Sequence, residues 1–177
     1  MSEALATRDV NVPDKPGLID EVERRLVLAG GKYQKRGEAL EGFPLRHTFA
    51  PSLYVRELTI PAGGILTSKI HRTHHIWVMS KGLMSVYVEG EGWRLLHAPL
   101  QGETLPGTRR LAVAHTEVVF TTFHPTEETD VLRLEEALMA DYRNPLLEGL
   151  VELDAPVRPA LVADTYRASL WLNQGEW

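Results

Sequence analysis

Cysteine is absent from all 177 residues. That excludes thiolate catalysis, zinc–thiolate sites, iron–sulfur clusters and disulfide stapling, and it accords with a reducing cytoplasm as the expected location. No stretch approaches the roughly 18 apolar residues that cross a membrane. The start, MSEALATRDVNVPDKPG, has no basic opening followed by an apolar centre, so a soluble protein without a membrane partner is expected. Positive charge is also scarce: 19 Lys and Arg stand against 24 Asp and Glu, for a net charge of −5. The basic residues are scattered apart from short pairs such as Arg24-Arg25 and Arg109-Arg110, so no nucleic-acid partner is expected. Internal repeats are missing as well. What remains is 44% hydrophobic, enough to form one core without metals or cross-links.

Between Tyr54 and His124 the chain reads as a series of short strands: YVRELTIP, ILTSKIHRTHHIWVMS, LMSVYVE, WRLLHAPL, ETLPG, RRLAVAH and EVVFTTFH. Turn signals at Pro61-Ala-Gly-Gly, Lys81-Gly82, Glu89-Gly-Glu-Gly and Leu105-Pro-Gly separate them at the spacing of a barrel or sandwich. Helical periodicity appears only at the flanks. Leu18, Ile19, Val22, Leu26 and Ala29 form one stripe ended by Gly30-Gly31, and Thr129 or Asp130 is placed to cap a short helix carrying Val131, Leu134 and Leu138. A second helix is expected in ALVADTYRASLWLN. The expected division is an arm and helix over residues 1–44, a β-barrel over 45–125 and a helical extension over 126–177.

The densest chemistry lies in GGILTSKIHRTHHIWVMSKG, residues 63–82, which places three of the seven histidines within five residues. If the segment is extended, His71 and His75 share a face with Lys69 and Trp77, and His74 points the other way. Two imidazoles on one strand face can hold a first-row transition metal if another strand completes the set; otherwise they serve as hydrogen-bonding residues of a half-buried sheet. His124 closes a run rich in β-branched and aromatic residues. Along that run His115, Glu117, Val119, Thr121 and Phe123 share one face, and Thr116, Val118, Phe120, Thr122 and His124 the other. Both faces carry apolar residues, so periodicity leaves the inward face open.

The frame Gly63, His71, His75, Gly82 resembles the first motif of the cupin superfamily. The family's first histidine falls on Lys69, its second on His71 and its glutamate on His75. The second motif is matched by Gly102, Pro106 and Gly107, with Arg109 or Arg110 where the last metal ligand belongs. The stretch from PGTRR through HTEVVFTTFHPT to TDVLRLEEAL is further similar to small cupin-like proteins of bacteriophages and prophages. The resemblance implies a mainly β fold, a single jelly-roll barrel with helices at both ends. The candidate site is centred on His71 and His75 and completed by His124 or Glu117, to hold a divalent iron, nickel, manganese or zinc ion; the resemblance implies oxygenase-, isomerase- or epimerase-like work on a small molecule.

Glu117 and Lys69 are the candidate catalytic groups. Lys69, Trp77, Arg109 and Arg110 are the candidate ligand-binding residues, the arginines because a guanidinium forks onto a carboxylate or phosphate but does not bind metal. The other reading is therefore a metal-free binding module for an anionic ligand, a phage or prophage accessory protein. His47 and His97 read as structural. A homodimer is expected, with Trp171 and Trp177 at the C-terminus as candidate interface residues.

Overall fold

The computed structural model describes residues 15–30, 32–33, 39–142, 144–148 and 161–163. Trp171 and Trp177, and with them the expected tryptophan-bearing interface, lie outside the described residues. Helix α1 (Leu18–Leu28) opens the described chain. Eleven strands follow: β1 (Lys32–Tyr33), β2 (Leu45–Ala50), β3 (Leu53–Ile60), β4 (Ile65–Thr67), β5 (His75–Lys81), β6 (Leu83–Val88), β7 (Gly92–His97), β8 (Leu100–Thr104), β9 (Arg110–Ala114), β10 (Val118–Pro125) and β11 (Leu161–Ala163). Helix α2 (Val131–Leu138) and a short 3-10 turn (Pro145–Leu147) lie between β10 and β11.

The strands form two antiparallel sheets, ordered β1-β11-β4-β9-β6-β7 and β2-β3-β10-β5-β8. Together they make a jelly-roll barrel. The alternation of each strand supplies the filling: Met84, Val86 and Val88 from β6, Ala112 and Ala114 from β9, Ile60 from β3, Trp77 and Met79 from β5, and Val118 from β10 form one buried cluster. Residues of the opposite parity on the first sheet, Ile65 and Leu111, are covered from outside by Ile19, Val22 and Leu26 of α1. On the other side Leu134 and Leu138 of α2 pack with Met139 against Tyr54.

The turn that closes the histidine-rich segment requires glycine. Gly82 has φ +101°, and a Cβ there would sit 2.3 Å from the carbonyl oxygen of Glu117. Asp130 caps α2 as expected, its carboxylate accepting from the amides of Leu132 and Arg133.

Two expectations fail. The run ILTSKIHRTHHIWVMS is not one strand: β4 ends at Thr67 and β5 begins at His75, with residues 68–74 outside any strand. Some of their hydrogen bonds go to β9 and the turn before it, where the Ser68 amide donates to Arg110 and the Gly107 amide to His71, and the rest go to the end of α2 and beyond, where the Arg72 amide donates to Leu138, the Ala140 amide donates to Ile70, and His71 forms a bridge with Met139. Leu161–Ala163, expected to open a second helix, is instead a strand pairing with both β1 and β4. Val162 opposite Leu66 satisfies the edge of β4, a tertiary demand that overrides the local helical pattern.

Candidate metal centre and its cavity

Three elements bring the histidines together. His71 lies in the 68–74 segment that α2's C-terminal end holds in place, His75 is the first residue of β5, and His124 comes near the end of β10. The face of β10 left open by the sequence is decided by burial: Val118, Thr122 and His124 look inward with Phe120. One ring nitrogen from each of His71, His75 and His124 lies within 4.8 Å of the others. The ring centroids are 4.3 Å apart for His71–His75 and 4.5 Å for His75–His124. So the pair His71/His75 does meet, although not by strand alternation.

All three rings are held neutral. Burial lowers His71 well below the usual imidazole range, with the neighbouring His75 and His124 adding to the effect. Burial likewise brings His75 down to about 4 and His124 down to about 3. Neutral imidazole is the form that binds metal. His75 Nδ1 lies 3.3 Å from the Thr73 carbonyl oxygen, an arrangement that leaves Nε2 as the free lone pair. His124 Nε2 meets the Thr122 hydroxyl at 3.0 Å. The Nδ1 atoms of His71 and His124 are buried with no hydrogen-bond partner. Orphaned acceptors of this kind are costly in a closed core, and a cation shared among them removes the cost.

The cluster opens onto a cavity of about 140 Å³. Phe43, Ile60, Trp77, Met84, Val86 and Leu96 form its apolar side. Its polar side carries Arg56, Lys69, Arg110 and Glu135 beside the histidines. Trp77 acts as both core and wall: its indole N–H donates to the Glu103 carbonyl at 3.1 Å, and its ring stacks on Phe120. Lys69 lies on the cavity wall in a buried ion pair with Glu135 at 3.0 Å.

Alternation separates the arginine pair. Arg110 shares the inward face of β9 with Ala112 and reaches the cavity. Arg109 shares the outward face with Leu111 and is not part of the cavity. Its guanidinium is buried under α1, 2.8 Å from Asp20 and 2.9 Å from Glu23. Both ends of its fork are occupied by carboxylates, so the structure does not bring it together with Arg110 at the cavity. Glu117 is not brought to the cavity either: it is exposed, precedes β10 on the outward parity, and pairs with Lys81 at 2.7 Å. His74 is exposed and meets Glu103, and His47 bonds to the Tyr54 hydroxyl.

Two cavity residues escaped the sequence reading. Arg56 sits between Tyr54 and Leu58 on the inward parity of β3, and Glu135 falls at the i+4 place of the Val131, Leu134, Leu138 stripe of α2. Each is a charged residue on an otherwise apolar stripe, and that anomaly was the available signal.

No family model matches the sequence, and no curated protein matches it. Among solved structures, the chain is similar to an RmlC-like cupin from Shewanella frigidimarina, at 19% identity over 55% of this chain and 87% of that one, with a TM-score of 0.41. A cupin domain from Bordetella pertussis is 18% identical over 51% and 99% of the two chains, with a TM-score of 0.40. An HTH_3 family transcriptional regulator from Vibrio cholerae is 17% identical over 49% of this chain, with a TM-score of 0.41. The match spans about half, 52%, of that regulator's length.

Proposed function

We propose that the barrel holds a divalent first-row transition metal on His71, His75 and His124 and acts on a small organic molecule in the adjoining cavity. The observation that carries this reading is the convergence of three neutral imidazoles within 4.8 Å, two of them with buried, partnerless ring nitrogens. Nitrogens on one ion at about 2.0–2.1 Å are roughly 3–4 Å apart, so side-chain rotation of about an ångström suffices. A three-histidine set suits zinc, iron, nickel or manganese, and no cysteine is present to bias it toward soft metals.

The metal, when bound, supplies Lewis acidity or oxygen activation. The chain's own part is binding and positioning. The Thr73 carbonyl and Thr122 hydroxyl fix two of the rings, Trp77 and Phe43 exclude water from the apolar side, and the Lys69–Glu135 pair holds a cation on the wall without adding net charge.

Elemental analysis of protein purified without an affinity tag tests this. The expected result is close to one equivalent of metal after reconstitution, and much less for His71→Ala. Less than about a tenth of an equivalent in the reconstituted wild type refutes the metal. Thermal melts give a second readout. A metal at a hundred times its dissociation constant adds about 2.7 kcal/mol of stability, a gain that His71→Ala or His124→Ala should abolish.

A further inference from the structure

The cavity is chemically two-ended, and its polar end is cationic before any metal is added. Three cationic side chains, Arg56, Lys69 and Arg110, line it against one carboxylate, Glu135. Glu135 is engaged by Lys69. Arg110 differs from Arg109 in that its hydrogen bonds go only to neutral oxygens: Nη1 donates to the Thr104 hydroxyl at 2.9 Å, and Nη2 reaches the Glu103 carbonyl at 3.5 Å. Among the described residues no carboxylate lies within ion-pair distance of it. A half-buried guanidinium whose hydrogen bonds all go to neutral oxygens, with Glu91 acting on it only from beyond ion-pair distance, leaves its fork open, and a planar anion fills it with two parallel hydrogen bonds.

Position selects what that anion is attached to. Thr104 is the cross-strand neighbour of His75, so the Arg110–Thr104 bond lies alongside the histidine cluster. The opposite end is formed by Phe43, Ile60, Trp77, Met84 and Val86, all apolar and, Phe43 apart, all strand residues of the barrel. A volume of about 140 Å³ is close to that of cavities that enclose a single benzene-sized body. A sugar phosphate or nucleotide has neither the size nor the polarity for such a wall, since each hydroxyl placed there lacks a partner.

We propose that the ligand of this cavity is a compact monocarboxylate with an aromatic or branched apolar body. Its carboxylate sits on Arg110 beside the histidines, and its body sits against Phe43 and Trp77. The inference takes the cavity of the proposed function as the binding site, but it does not require the metal. Arg110 is here a binding residue that selects charge.

Calorimetric titration of the full-length protein tests the idea, in metal-free and metal-reconstituted forms, with benzoate, benzyl alcohol and inorganic phosphate as probes. In metal-free protein benzoate should bind about tenfold or more tightly than either of the others. Arg110→Met should weaken benzoate about 10- to 100-fold and leave benzyl alcohol unchanged, with Arg110→Lys falling between because it keeps the charge but loses the fork. Equal affinity for benzoate and benzyl alcohol in the wild type overturns the proposal without recourse to any variant. So does phosphate binding tighter than benzoate, or benzoate affinity indifferent to Arg110→Met. The two readings fail separately: metal uptake with no carboxylate preference sinks this inference alone, and carboxylate binding with no metal uptake sinks the metal alone.

Discussion

Replacing Arg109 by methionine should be the most damaging single change outside the cavity. Asp20 and Glu23 of α1 are 0% and 3% exposed, and Arg109, also 3% exposed, neutralises both across 2.8 and 2.9 Å. Methionine fills a similar length but leaves two adjacent carboxylates buried without a cation. They keep neutral donors: the Tyr142 hydroxyl and Gly17 amide on Asp20, and the Asn144 amide on Glu23. Hydrogen bonds to neutral donors do not offset a net double negative charge. Breaking a buried pair by removing one partner costs about 3–5 kcal/mol, here a drop in melting temperature of roughly 6–20 °C for a chain of this size. Urea unfolding followed by circular dichroism at pH 7 measures this, with Arg109→Met/Glu23→Gln as the partner variant expected to recover part of the loss because it removes one of the two charges. A deficit below about 1 kcal/mol, or no recovery in the double variant, refutes the argument.

Metal-free protein should weaken in acid through its histidines. His75 and His124 titrate near 4 and 3 when folded and near 6.5 when unfolded, so the unfolded chain binds more protons and stability falls once pH drops through 6.5. At pH 5 each costs about 2 kcal/mol, and a wild-type urea midpoint unchanged between pH 7.5 and 5 contradicts this. Gly102→Ala puts a Cβ 2.4 Å from the Trp77 ring, and the expected loss of about 1–3 kcal/mol should be accompanied by a changed tryptophan near-UV signal. Asp130→Ala removes the acceptor for two amides at the start of α2, for about 1 kcal/mol in a chemical melt, and Asp130→Asn should retain most of it.

The fold was legible in the sequence because strand alternation and glycine–proline punctuation act over a few residues. Gly82 and the Glu89–Gly92 turn mark real chain reversals, and the Val131–Leu134–Leu138 stripe marks α2. The three histidines were legible as candidates by type. Their meeting was not, since it depends on the 68–74 segment leaving the sheet to bond with residues 138–140, a pairing no local pattern encodes. The two arginines of PGTRR show the same boundary. Alternation says they part, but only the position of α1 over one face of β9 decides that Arg109 is structural and Arg110 faces the cavity.

The hydrogen bonds that tie Ile70 and Arg72 to the residues following α2 also set an order of assembly. His75 and His124 can come together once β10 pairs with β5, and His71, whose carbonyl accepts from the Gly107 amide, gains the remaining partners of its segment only when residues 138–140 have reached it. During synthesis from the N-terminus the approach of His75 and His124 therefore precedes the completion of the His71 segment by at least the fourteen residues from Pro125 to Leu138. The three rings therefore reach their final spacing at the end of folding rather than at its beginning.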